Sequence, residues 1–295
     1  MKKKELFYTI IFILFVGLLV LSNKSSIKDL LEPEQQEISS DLKIYFFDVG
    51  QAESILITNN GHNMIIDAGN NEDGPKLVEY IKNELHITKF DYIISTHPHE
   101  DHIGGIDNII KNFEIDNIYM PDVTTTTKSY EDVLKAIEKK KLQITIPKIG
   151  ETFQMEECVF EIIYTGTDEE DLNGSSIIVR MDYKSTSYLF TADTTYDTEQ
   201  QILDSNIDID VLKIAHHGSK HASSLNFLNK ATPKYAIISC GKENDYHYPH
   251  ESTLNRIKKF TNDIYVTSEL GTIILTSDGN NIQIDYIETD TDGVK

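Results

Sequence analysis

The feature that most constrains this chain is Thr96-His97-Pro98-His99-Glu100-Asp101-His102-Ile103-Gly104-Gly105, which follows the apolar run Tyr92-Ile93-Ile94. A short apolar run bounded by turn residues reads as a buried strand. A loop at the end of such a strand is where α/β sheets carry their chemistry. His97, His99, Asp101 and His102 offer imidazole nitrogens and a carboxylate, donors that suit Zn(II) or another first-row divalent ion. Four donors this close exceed what one tetrahedral ion with an open position needs, so they can feed two adjacent ions. The alternative is a solvated loop with incidental histidines. Further ligand-type residues at other strand ends, Asp193 and His216-His217, weigh against it.

Around this loop the chain alternates strand and helix patterns. Leu42–Val49, Ser54–Thr58 and Asn63–Asp67 read as strands, with Asn59-Asn60-Gly61 as a hairpin turn. Lys76–Leu85, Gly104–Asn112 and Tyr130–Lys141 have helical spacing, and Asp91–Ser95 is the strand that delivers the histidine loop. Strands return at Val159–Tyr164, Ser176–Asp182, Ser187–Thr191, Val211–Ala215 and Tyr235–Ser239. Helical patterns at Thr194–Leu203, Leu225–Lys230 and Pro249–Phe260 are interleaved with them, and three short strands from Ile264 to Tyr286 close the pattern. About 250 residues in one such pattern fit a single α/β domain.

His97-x-His99-x-Asp101-His102 resembles the signature of the metallo-β-lactamase superfamily. Phe47-Asp48-Val49-Gly50-Gln51-Ala52-Glu53-Ser54, Ile66-Asp67-Ala68-Gly69, Phe190-Thr191-Ala192-Asp193 and Val211-Leu212-Lys213-Ile214-Ala215-His216-His217-Gly218-Ser219 extend the likeness. In order and spacing they resemble the metallo-β-lactamase-like domain of ComEC-type competence proteins, from about Leu42 to Asp285. The resemblance implies a four-layer αββα sandwich that binds two divalent metal ions, Zn(II) or Mn(II). His97 and His99 would hold the first, Asp101 and His102 the second, and Asp193 would bridge them. One of His216 and His217 would complete the second site. We assign His216 there and leave His217 to orient substrate or move a proton, because neighbours on a strand end point apart. Asp193 has an alternative as a helix N-cap before Thr194.

Asp67 matches the family aspartate that orients a ligand histidine or the metal loop. Ser219 is a candidate for a phosphate oxygen, or simply part of a turn. Two departures from the family pattern stand out. No histidine lies between Ile103 and Ala215, so the first site has an incomplete protein shell; Asn173 and Ser176 occupy that region. In Asn244-Asp245-Tyr246-His247-Tyr248-Pro249-His250, Tyr248 stands where a histidine is usual. Asn244, His247 and Tyr248 are therefore the substrate-side candidates.

Asp and Glu number 48 against 27 Lys and Arg, giving a net charge of −21. Such a surface repels long polyanions and lacks the basic footprint of a general nucleic-acid binder. Met1-Lys2-Lys3-Lys4 and the apolar run Leu6–Leu21 read as a membrane anchor or signal segment, residues 1–22. The lysines would stay inside and the remainder outside, anchored or secreted. Residues 23–41 read as a polar linker, 42–288 as the hydrolase domain and 289–295 as an acidic tail. Cys158 and Cys240 are either one disulfide or two buried thiols.

These features lead to an extracytoplasmic metal-dependent hydrolase that uses a metal-activated water. The resemblance implies a phosphodiester substrate, DNA included, cleaved with Asp101, Asp193 and His217 as catalytic groups. The alternatives are a small-substrate esterase, such as a phosphorylcholine esterase, and a non-catalytic module that keeps metal for folding.

Overall fold

Two sheets carry the fold. In the first, β1 (Leu42–Phe46), β2 (Ile55–Asn59), β3 (His62–Ile66), β4 (Lys89–Ile94), β5 (Glu114–Tyr119) and β6 (Ile144–Thr145) lie side by side in chain order. The second is built from β7 (Thr152–Met155), β8 (Cys158–Tyr164), β9 (Ile178–Tyr183), β10 (Thr186–Phe190), β11 (Val211–Lys213), β12 (Tyr235–Ile238) and β13 (Ile264–Val266). The chain then returns to the first sheet, where β14 (Thr272–Ser277) pairs with β1 and β15 (Ile282–Ile287) forms the edge. The computed structural model describes residues 42–168 and 170–288. The expected membrane segment, linker and tail lie outside the described residues. Among the described residues, no helix is long and apolar enough to cross a membrane.

Period-two alternation explains the layering. On β1, Ile44 and Phe46 enter a core between the sheets, while Tyr45 faces a core against helices. On β10, Tyr188 and Phe190 face the first sheet and Leu189 the opposite side. The helices α1 (Asp73–Asn83), α2 (Glu100–Ile103), α3 (Ile106–Asn112) and α4 (Lys128–Lys140) belong to the first outer layer. Leu77, Ile81, Ile109 and Val133 bury their side chains there against Ile65 and Ile93. On the far face α5 (Tyr196–Gln201), α6 (Leu225–Ala231) and α7 (Glu251–Ile257) follow; Phe227, Leu228 and Ile257 cover Leu212 and Ile238. A last short helix, α8 (Thr267–Leu270), links β13 to β14. Three apolar cores between two sheets and two helical layers make the αββα sandwich.

The expected hairpin is present: Asn60 and Gly61 both have positive φ, 51° and 84°, between β2 and β3. One helix departs from expectation. Instead of a single element from Gly104 to Asn112, α2 and α3 are separated at Gly104-Gly105, because the chain there runs against backbone. A Cβ on Gly105 would stand 2.2 Å from the Ala68 carbonyl oxygen, and one on Gly104 2.4 Å from the Asn71 nitrogen. Strands β5, β6 and β7 were not expected; β5 alternates imperfectly and β6 is only two residues long. Cys158 and Cys240 are free and buried, in different cores, so the disulfide alternative falls.

Candidate metal centre

The carboxyl ends of β3, β4, β10 and β11 deliver the site. β3 ends in Asp67, which adopts left-handed φ of 57° although it is not glycine. This turn lets its fully buried carboxylate reach across to the next loop. Oδ1 accepts the Thr96 N–H at 2.8 Å, and Oδ2 accepts the Thr96 hydroxyl at 2.6 Å and meets His102 Nδ1 at 2.7 Å. Burial raises the Asp67 pKa, but donors converge on both its oxygens, so the carboxyl accepts, and His102 carries its proton on Nδ1 and turns Nε2 into the site. Thr96 gives its one hydroxyl proton to Asp67. It therefore accepts from His97 Nδ1 at 3.1 Å, which leaves the His97 Nε2 lone pair facing His99. Asp67 thus stands where a positioning aspartate was expected, and it orders two imidazoles.

β10 ends in Phe190, and the left-handed Ala192 (φ 46°) swings Asp193 inward. The N-cap of α5 is Thr195, so the capping alternative for Asp193 falls. Its buried Oδ1 lies 3.3 Å from His102 Nε2 and 3.6 Å from His217 Nε2. His217 Nε2 is also 3.3 Å from Asp101 Oδ2, while its Nδ1 donates to the Ser239 carbonyl at 2.8 Å. One donor atom from each of Asp101, His102, Asp193 and His217 falls within 4.8 Å of the others.

The adjacent histidines correct an expectation. They do not sit on an extended strand end. His216 (φ 49°, ψ 51°) and His217 (φ 52°, ψ 21°) are both left-handed, and this tight turn brings both rings to Asp193. Two such residues in succession cost about 1–3 kcal/mol each, the kind of strain that clusters at functional sites. His217, not His216, completes the group of four. His216 Nε2 instead lies 3.6 Å from the other oxygen of Asp193 and 3.3 Å from the Tyr248 hydroxyl.

The substrate-side candidates divide. The Asn244 amide is consumed in its own loop: Nδ2 donates to the carbonyls of Gly241 and Tyr248 at 2.8 and 2.7 Å, and Oδ1 accepts the Tyr248 N–H at 2.9 Å. Ser219 is buried; its hydroxyl accepts the His221 N–H at 3.3 Å and bonds to the Tyr248 hydroxyl, so it shapes the turn beside the substrate-side tyrosine. His247 is exposed at the loop tip, outside the group of four. Tyr248 does face the site through its hydroxyl bond to His216. Ser176 is buried, and the next residue, Ile177, donates its N–H to the Thr96 carbonyl at 3.0 Å, which places that segment beside the metal loop.

The electrostatics suit a cation. Burial pushes Asp193 up, yet His217 and His102 outweigh it and hold the carboxyl well below the usual carboxylate range. Burial likewise opposes ionisation of Asp101, but His102 and the His217 hydrogen bond hold it low. Burial disfavours a charge on His102, but Asp193, Asp67 and Asp101 raise its pKa well above the usual imidazole value. Burial, together with the charge on His102, keeps His97 well below that value. Within hydrogen-bonding geometry, His102 Nε2 and Asp193 Oδ1 have no partner despite full burial. They face each other at 3.3 Å as an ion pair without a regular hydrogen bond, and four donor atoms this close fit a divalent ion held by two imidazoles and two carboxylates.

Sequence reasoning passed over Lys213 and Glu53 as site supports. Lys213 Nζ donates to Glu53 Oε2 and to the Ile214 carbonyl, the latter at 3.0 Å, with both side chains fully buried. The signal was a lysine inside an apolar strand, Val211-Leu212-Lys213-Ile214, which only a buried partner permits. Gln51 Oε1 accepts the Gly241 N–H at 3.1 Å and ties the two sheets' loops together.

A two-sheet sandwich with histidines and aspartates converging at the strand ends defines a metallohydrolase fold. The model of the metallo-beta-lactamase superfamily matches residues 47–242, and this chain belongs to that superfamily. The chain is similar to ComE operon protein 3 of Bacillus subtilis, with 28% identity over 256 residues, covering 80% of this chain and 33% of that protein. It is similar to Recombination protein 2 of Haemophilus influenzae, with 26% identity over 249 residues, covering 82% and 30%. The resemblance to ComEC-type competence proteins therefore holds, and the chain spans about a third of the length of these curated relatives. The crystal structure of the metallo-beta-lactamase fold protein YhfI from Bacillus subtilis superposes with a TM-score of 0.55 at 14% identity, covering 83% of this chain and 100% of that one. That likeness concerns the fold.

Proposed function

We propose that this chain is a metal-dependent phosphodiesterase, with DNA among its substrates, that works outside the cytoplasm on an anchor formed by residues 1–22. Residues 42–288 are the hydrolase domain in this reading. The observation that carries it is the convergence of Asp101, His102, Asp193 and His217, whose donor atoms all lie within 4.8 Å of one another. Asp101, His102, Asp193 and His217 would hold one divalent ion, Zn(II) or Mn(II). His97, His99 and Asp193 would hold a second with fewer protein donors. Bound there, the ions would supply Lewis acidity and an activated water.

The chain's own residues supply the rest. Asp101 and Asp193 stay ionised and can hold the attacking water and accept its proton. His216 is pushed below its usual pKa, chiefly by burial, and so is neutral near pH 7. It can take up the proton that Asp193, 3.6 Å away, accepts from the water and then, with Tyr248 beside it, give that proton to the leaving oxygen, the task first assigned to His217. Asp67, Thr96 and Ser239 fix the imidazole tautomers, so the donors are aimed before substrate arrives.

The test crosses Zn(II) and Mn(II) with bis-p-nitrophenyl phosphate, single-stranded DNA and p-nitrophenyl phosphorylcholine, using the full chain and its Asp193→Ala variant. Diester hydrolysis that needs metal and vanishes in the variant is the expected result. A protein that binds metal tightly and cleaves none of these would be a metal-stabilised binding module instead.

A further inference from the structure

The loop of residues 242–250 carries a row of rings that metal chemistry leaves only half used. Tyr248 has a task at the site through His216. Its ring also lies 6.2 Å from that of His217 and within 24° of parallel. Tyr246 in turn stacks on Tyr248, 5.4 Å away and 14° from parallel. Tyr246 is 62% exposed. The row therefore joins an exposed tyrosine, through a near-parallel neighbour, to a residue of the metal group.

The loop is held stiffly. The Asn244 amide makes three hydrogen bonds within it, and the His247 N–H donates to the Asn244 carbonyl at 3.1 Å. Pro249 packs so closely on Gly218 that a Cβ there would lie 2.5 Å from the proline Cβ. The His250 N–H donates to the Gly218 carbonyl at 3.0 Å, and the Lys220 N–H donates to His250 Nδ1 at 3.1 Å. A scattered exposed tyrosine needs no explanation. One stacked in register with the site and fastened to the turn that holds the metal histidines is a prebuilt flat surface, with little ordering left to do on binding.

The exposed face of a stacked aromatic takes either another planar ring or a cation. The surroundings favour the ring. Lys220, His221, His247 and Arg256 gather about His250 and, after burial, are what hold its pKa below the ordinary value. The His250 ring lies 5.2 Å from that of Tyr248, so this basic group flanks the row and suits a phosphate beside it. Glu243 and Asp245 on the same loop oppose a long polyanion, so stacking rather than charge must supply the affinity. We propose that Tyr246 is the stacking platform for a nucleobase next to the scissile phosphodiester; this rests on the phosphodiesterase reading above.

The test compares thymidine 5′-(p-nitrophenyl phosphate) with ethyl p-nitrophenyl phosphate, which share the reacting group but differ in the base. In Tyr246→Ala, the ratio of kcat/KM for the two esters should fall about 5- to 100-fold, through KM, the range of one base–aromatic stack. Tyr246→Phe should restore the ratio. Because Tyr246 is exposed, these variants should fold normally. A ratio that does not move in Tyr246→Ala overturns the proposal. So does a loss confined to p-nitrophenyl phosphorylcholine, which would make the platform a cation seat.

A second arm needs no turnover: the fluorescence anisotropy of a labelled oligothymidylate on wild type and Tyr246→Ala. Weaker binding to the variant supports the platform even if neither ester is cleaved with Zn(II) or Mn(II), a result that would sink only the phosphodiesterase reading. Equal affinity, or no binding to wild type, overturns the platform.

Discussion

Lys213 and Glu53 form an ion pair with no solvent exposure, and it joins the two sheets directly beneath the metal group. Lys213 ends β11 three residues before His216. Glu53 lies on the loop after β1, where its N–H donates to the Asp101 carbonyl at 2.9 Å and its carbonyl accepts the Gly69 N–H at 2.8 Å. The pair therefore sets the separation between the Asp101–His102 half of the site and the Asp193–His217 half.

Removing one partner leaves a buried charge alone. Lys213→Met is expected to cost about 3–5 kcal/mol of stability. The double variant Lys213→Met/Glu53→Leu should recover most of that loss while leaving metal binding weakened. Urea unfolding of the metal-free protein, paired with metal titration, separates the two effects; a single variant as stable as wild type would refute the bolt.

Asp67 acts through His102. In Asp67→Asn an amide N–H would face the His102 Nδ1 proton and the Thr96 hydroxyl, so the ring must flip its tautomer or turn. Metal affinity should fall about 10- to 100-fold. Competition with a chromophoric chelator measures it, and unchanged affinity would show that His102 needs no orienting partner.

Metal binding should release protons. The folded pKa of His102 is raised, so its contribution to metal-free stability is complete below the unfolded imidazole value and disappears as pH rises through the folded one. Asp193 is depressed, so its contribution is present above the unfolded carboxylate value and disappears as pH falls through the folded one. An ion arriving at His102 Nε2 must displace the proton held there. Apparent affinity should rise with pH up to the folded His102 value, and calorimetry in buffers of different ionisation enthalpy should show net proton release. Enthalpies independent of buffer would contradict this protonation state.

Gly105→Ala should disturb the site from outside it. The new Cβ would meet the Ala68 carbonyl at 2.2 Å and the Gly74 Cα at 2.8 Å, both backbone atoms. Ala68 follows Asp67 directly and its N–H donates to the His102 carbonyl at 2.8 Å. The expected loss is about 1–3 kcal/mol or more, with metal affinity lowered as well. Thermal unfolding checks the first part; a Tm equal to wild type would mean that the backbone yields freely there.

What was legible in the amino-acid order was most of what is held within one strand and its following loop. His97, His99, Asp101 and His102 share a loop, and Asp67 and Asp193 each follow an apolar strand. Local backbone geometry places such residues wherever the strand goes. Most strands were legible for the same reason, since alternation such as Ile44, Phe46 against Tyr45 is a local pattern. β5 was not, because Glu114, Asp116 and Asn117 interrupt it and its pairing with β4 does the work of a stronger pattern. Tertiary structure alone decided between His216 and His217, since two consecutive left-handed residues override the alternation of a strand. It also turned Asn244 and Ser219 inward as fasteners and set Tyr246 on Tyr248 at the rim. Those outcomes depend on which groups from separate sheets meet, and burial makes each of them satisfy its hydrogen bonds with whatever the other sheet presents.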